Sequence, residues 1–205
     1  MKYEHQKAQP IRSIKDRKAI ARYLYHKNLR DYALFEFGIR VGRRVSDLVS
    51  LNIGDVARLD RKGRIVIKER LAIREKKTQK FADILINPRA RRVLGLYISK
   101  RKDTTESAEA LLEEPLFKSR SVSRNGERRL TPYSVLRILK QAADECELNF
   151  NVATHSLRKT FGYELHRRGV DITLIQKLMN HASPEITLAY IGITRNEMDN
   201  AIRNL

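Results

Sequence analysis

At 205 residues the chain is long enough for one sizeable domain with a buried core, and its 42 Lys and Arg against 24 Asp and Glu give a formal charge of +18. A folded body this basic calls for a polyanionic partner. Nucleic acid is favoured over an anionic membrane, because no apolar run approaches a spanning helix or a signal-peptide core. The single cysteine, Cys146, excludes an internal disulfide and a cysteine-based zinc site, and a reducing, cytoplasmic compartment follows.

Residues 1–10 are polar and aperiodic and read as a flexible N-terminus; from Ile11 to Leu205 the pattern is that of one domain. Ser13, with Asp16 three residues on, opens a helix to about His26 with Ile20 and Leu24 on one face. A second helical pattern starts at Asp31 and carries Leu34, Phe37 and Val41 until Gly42 interrupts it, and a short third helix turns Val45, Leu48 and Val49 inward. The period then changes. Residues 64–68 and 81–86 are short and rich in branched side chains, and are predicted to pair as two strands of one small antiparallel sheet, with the basic segment 74–80 as a hairpin tip.

Pro88 suits the first position of a helix carrying Val93, Leu94, Tyr97 and Ile98. Residues 103–114 read as a surface connection, Leu116 and Phe117 return to the core, and Ser119 to Arg129 is a loop, either solvated or in contact with phosphate. Thr131-Pro132 starts a helix with Val135, Leu136, Leu139 and Ala142 buried, at whose end Cys146 is expected as a packed thiol. Further helices begin near His155, at Asp171 and at Ser183-Pro184-Glu185, the last stopping at Gly192. Beyond it, Met198, Ile202 and Leu205 share one face of a short tail helix. The fold class is mainly α with a small antiparallel β-sheet.

The last quarter concentrates chemistry. His155 and Arg158 are three apart on one helix face, His181 follows in a connection between helices, and Tyr190 comes nine residues later. Two imidazoles, a guanidinium and a phenol can hold a phosphodiester and attack it with a side-chain oxygen. The acids are scattered, without the cluster that two-metal nucleases use, so neither a metal nor another cofactor is expected.

With Gly42-Arg43-Arg44-Val45-Ser46-Asp47-Leu48 upstream, these motifs resemble the catalytic domain of the tyrosine recombinase (phage integrase) family over nearly the whole chain. The resemblance places the first catalytic arginine at Arg44, with Arg43 where the family has an apolar residue. The catalytic lysine falls on Lys77 of Lys77-Thr78-Gln79-Lys80, with Lys76 its competitor. His155 and Arg158 form the His-x-Leu-Arg motif. His181 follows Asn180, which replaces a glycine but also tolerates a left-handed backbone, and Tyr190 closes Thr-x-x-Tyr as the nucleophile.

The resemblance implies a site-specific recombinase that cleaves and rejoins double-stranded DNA through a 3′-phosphotyrosine, without metal or ATP. It also implies a tetramer on DNA, a monomer without it, a nucleoid-associated location and no membrane contact. No counterpart of the family's N-terminal core-binding domain is expected in these residues. A type IB topoisomerase-like nicking-closing enzyme and a non-catalytic DNA-binding protein are the alternatives; the first shares the chemistry, and the second leaves the ordered set of site residues unexplained.

Overall fold

The computed structural model describes residues 7–101, 107–122, 126, 128–192, 199 and 202–203. Ten helices and four short strands are assigned among them. The first two are α1 (Ile14–Lys27) and α2 (Leu29–Val41). The Ser13 hydroxyl caps α1 by accepting from the Asp16 amide, and Asn28 does the same for α2 through the Arg30 amide. Helix α2 is the hub of the core, with Leu34, Phe35 and Phe37 almost fully buried, and it packs against α1, α5 (Pro88–Ser99) and α8 (Thr154–Arg167).

Gly42 ends α2 in the left-handed conformation at φ 62°, and a Cβ there would lie 2.2 Å from Phe161 Cδ1 of α8. Backbone and space both demand glycine at this position. The chain then turns through Arg43 and Arg44 into α3 (Val45–Leu48) and α4 (Ile53–Val56).

The β region differs from the single sheet expected. Strand β1 (Ala57–Leu59) pairs antiparallel with β2 (Ile65–Ile67), and β3 (Arg70–Arg74) pairs antiparallel with β4 (Phe81–Leu85), as two separate ladders. The two branched segments therefore belong to different hairpins. The partners, β1 and β3, hold few branched side chains, Leu59 in one and Leu71 and Ile73 in the other, beside Arg58, Arg70 and Arg74, so the branched-residue signal passed over them. Residues 75–80 do form the turn of the second hairpin. In β4, Ala82 and Ile84 face the core while Phe81 and Leu85 are exposed.

A second correction falls in the expected surface connection, where Ser107 caps the short helix α6 (Ala108–Glu113), which rests on α4. Helices α5, α7 (Pro132–Glu145) and α10 (Pro184–Ile191) each start with a capping Asn, Thr or Ser followed by Pro at the first helical position. Cys146 closes α7 and packs against the core, where burial raises its thiol pKa. Arg129, in the stretch read as a loop, turns inward and donates to the carbonyls of Ser50 and Leu51.

A smaller apolar cluster of Ile175, Met179 and Ile191 joins α8, α9 (Ile172–Leu178) and α10. Gly162 of α8 makes this possible, because a Cβ there would lie 2.6 Å from Ile191 Cγ2 and 2.8 Å from Met179 Sδ. The close approach seats the helix that carries Tyr190 against the helix that carries His155. In the tail, Met198 and Leu205 lie outside the described residues, and Ile202 is exposed.

Candidate active site

Four chain segments meet where α2 ends. Arg43 and Arg44 follow Gly42, Glu75 begins the β3–β4 turn, Arg158 projects from α8, and Asn180 follows α9. The Glu75 carboxylate, fully buried, is their common partner. Its Oε1 accepts from Arg43 at 2.6 Å and lies 3.7 Å from Arg158; its Oε2 accepts from Arg44 at 2.6 Å and from the Thr78 hydroxyl at 2.7 Å.

The two buried arginines also satisfy helix ends. Arg158 donates to the Gly42 carbonyl at 3.0 Å and to the Met179 carbonyl, and Arg43 donates to the Leu178 carbonyl. These are C-terminal carbonyls of α2 and α9 that have no partner within their own helices. Burial and then neighbouring cations lower both arginine pKa values, Arg43 to about 10, and both stay charged at neutral pH. Arg44 differs in being part-exposed, its side chain 20% open, whereas Arg43 has Nε, Nη1 and Nη2 all committed to Val41, Glu75 and Leu178. Arg43 thus takes the inward place of the apolar residue in the family motif, made tolerable by Glu75.

His181 is set by a Schellman turn. The His181 amide donates to the Gln176 carbonyl and the Asn180 amide to the Lys177 carbonyl, with Asn180 left-handed at φ 51°. Asparagine therefore does here what the family's glycine does. His181 Nδ1 lies 3.1 Å from Thr187 Oγ1, which itself donates to the Ser183 carbonyl at 3.3 Å. Burial, then the charges of Arg158, Arg44 and Arg43, lower His181 to a pKa of about 4, so it is neutral at pH 7.

The Tyr190 phenol oxygen lies 2.8 Å from His155 Nδ1, its ring meets His181 edge-on at 5.1 Å between centroids, and Lys159 Nζ sits 5.1 Å from the ring centroid. Burial raises the Tyr190 pKa, while Arg158 and Arg44 pull against that rise. Burial, then Lys159, Arg158, Arg44 and Lys77, lower the His155 pKa. A neutral imidazole beside a phenol is arranged to take its proton. Lys77 is exposed on the β3–β4 turn, near enough for its charge to reach His155, while the Lys76 amide is tied to Asp47 Oδ1 at 3.0 Å.

All six sequence-predicted residues thus border one region. Sequence reasoning missed two others. Lys159, four residues after His155, shares its helix face, a spacing that could have flagged it. Glu75 is the only acid in a basic turn segment, but nothing local shows that it is buried. Among the described residues, no group of three His, Cys, Asp or Glu side chains could hold a metal ion, and no helix is long and apolar enough to cross a membrane.

The Phage integrase family matches residues 14–197, and the chain belongs to that family, whose members are tyrosine recombinases. It is 39% identical over 185 residues to the probable integrase/recombinase YoeC of Bacillus subtilis (strain 168), covering 90% of each chain. It spans about half the length of other curated relatives it matches. The XerA recombinase crystal structure shares the fold with a TM-score of 0.69 at 21% identity, covering 98% of this chain and 65% of that one. The XerH site-specific recombinase, solved bound to palindromic difH substrate, has a TM-score of 0.68 at 16% identity, covering 96% of this chain and 53% of that one.

Proposed function

We propose that this chain cleaves and rejoins double-stranded DNA with Tyr190 as nucleophile. The observation that carries the reading is the 2.8 Å contact between the Tyr190 phenol and His155, within the field of Arg44 and Arg158. A free phenol with a pKa near 10 is ionised in only about one molecule in a thousand at pH 7, a deficit of about 4 kcal/mol. His155 offsets it by accepting the proton as the Tyr190 oxygen attacks the scissile phosphorus.

Arg44 and Arg158 then hold the nonbridging oxygens and stabilise the growing charge, an effect of about 3–4 kcal/mol per well-placed donor. Lys77 gives a proton to the departing 5′ oxygen, leaving a 3′-phosphotyrosine and a free 5′ hydroxyl. A 5′ hydroxyl of either strand reverses the step, so the phosphoester energy is conserved and no nucleotide or metal is needed.

The reading extends to assembly and location. Residues 11–205 act as one breaking-rejoining domain, monomeric in free solution and tetrameric on DNA, in the cytoplasm and nucleoid. Support for the DNA partner comes from the +18 charge and from XerH, a protein of this fold solved on its substrate. The test is incubation with duplex DNA nicked beside the scissile phosphate, so that the released fragment diffuses away. A covalent protein–DNA adduct is expected from the wild type and not from Tyr190→Phe, while binding stays within a few-fold. An adduct that persists in Tyr190→Phe would overturn the assignment.

A further inference from the structure

Glu75 occupies a position that the recombination chemistry just described does not use. It is a fully buried carboxylate at the base of the turn that carries Lys77, two residues before that lysine. Its backbone closes the turn, donating to the Lys80 carbonyl at 2.9 Å and accepting from the Gln79 amide at 2.8 Å. Its side chain leaves the hairpin and reaches three other segments: Arg43 and Arg44 after α2, Arg158 on α8, and Asn180 after α9, whose Nδ2 lies 3.4 Å away.

We propose that Glu75 is a positioning residue that clamps the Lys77 hairpin onto the arginine cluster, fixing the proton donor relative to the phosphate that Arg44 and Arg158 bind. The inference rests on the roles given above to Lys77, Arg44 and Arg158. A partner for Arg43 alone would need only Oε1. The second oxygen is committed to Arg44, the exposed member of the cluster, and to Thr78 in the turn itself.

Without the carboxylate, the side-chain tie between hairpin and cluster is lost, leaving the Lys76 amide on Asp47 to hold the turn. Arg44 would still have an anion whenever DNA is bound, because phosphate replaces the lost carboxylate. Lys77 would have no such replacement. The defect should therefore fall on leaving-group protonation and not on phosphate binding. Burial opposes ionisation of Glu75, but hydrogen bonds from Thr78 and Arg44 and the charges of Arg43 and Arg44 keep its pKa below the usual carboxylate value, so the clamp is intact at neutral pH.

The experiment compares adduct formation on nicked DNA carrying either the natural 5′ oxygen or a 5′ bridging sulfur at the scissile phosphate, since a thiolate leaves without a proton. Glu75→Gln keeps the shape and loses the charge; it should slow cleavage of natural DNA by about tenfold or more, and the bridging sulfur should recover most of that loss. Thr78→Val removes one tie to Oε2 from an exposed residue and should show the same pattern at about threefold.

A cooperatively melting Glu75→Gln that cleaves natural DNA at the wild-type rate, or is slowed equally on both substrates, overturns the inference. If Glu75→Gln does not fold, a wild-type rate in Thr78→Val overturns it instead. Absence of adduct from the wild type, or its persistence in Tyr190→Phe, overturns the reading of the site itself and this inference with it.

Discussion

The phenol of Tyr190 on α10 and the Nδ1 nitrogen of His155 on α8 lie 2.8 Å apart although 35 positions separate them in the chain. Gly162 sets that distance, because only a residue without a side chain lets α10 and the end of α9 lie so close to α8. Gly162→Ala should therefore cost about 1–3 kcal/mol through overpacking against Ile191 and Met179. Adduct formation should fall further than this stability loss accounts for. Chemical denaturation and a cleavage time course on one preparation check both; a stable variant with a wild-type rate would show that the helix spacing does not matter.

The two site arginines should separate cleanly by what each does for the fold. Arg158→Lys cannot reproduce two directed bonds to the Gly42 and Met179 carbonyls, so it should lose activity and about 2–4 kcal/mol of stability. Arg44→Lys, at a part-exposed position, should lose activity by orders of magnitude with a melting temperature within a few degrees of the wild type. Paired melting and adduct assays decide; equal destabilisation by both would contradict the division of labour.

Stability should fall as the pH drops below neutrality in a window set by His181. This histidine titrates at about 4 in the folded chain instead of near 6.5, because burial and then Arg158, Arg44 and Arg43 disfavour its charged form. Between those values the unfolded chain binds a proton that the folded chain refuses. Stability therefore rises with pH across the window and is lost as pH falls through it. The melting temperature of His181→Gln should depend less steeply on pH between 6.5 and 5; an unchanged slope would place the linkage elsewhere.

Cleavage should follow a related logic through His155. Its pKa is depressed below 6.5 by burial first and by Lys159 next, so the base form is already dominant at pH 7. The rate should be flat at neutrality and decline only below pH 6.5. Lys159→Met should move the decline to higher pH, since it removes a cation that disfavours imidazolium. A pH–rate profile of the variant that superimposes on the wild type would remove Lys159 from the site.

Much of this arrangement was legible because local signals agreed. The helix-start residues Ser13, Pro88, Thr131 and Ser183 and the stop at Gly42 fix helix ends by chemistry that a few adjacent residues contain. The motifs at Arg44, Lys77, His155, Arg158, His181 and Tyr190 were singled out by their resemblance to family motifs, a signal that lies in the order of the residues along the chain. The strand pairing was not legible, because β1 and β3 are short and hold few branched side chains, and each is identified by the partner it pairs with, β2 or β4. Helix α6 consists of the strong helix formers Ala, Leu and Glu but is only six residues long, too short to be stable alone, and depends on α4 for support. Glu75 was invisible for a deeper reason: its burial is created by Arg43, Arg44, Arg158 and Asn180, which converge only when α2, α8 and α9 have packed.

The most direct test of the central claim is to map the bond itself. The adduct formed on nicked duplex DNA is digested with protease and nuclease, and the peptide that retains the nucleotide is sequenced by mass spectrometry. The expected result is a phosphodiester on Tyr190, through a 3′-linked nucleotide. A nucleotide carried on Tyr163 or any other side chain, or a linkage through the 5′ end of the strand, would contradict the account.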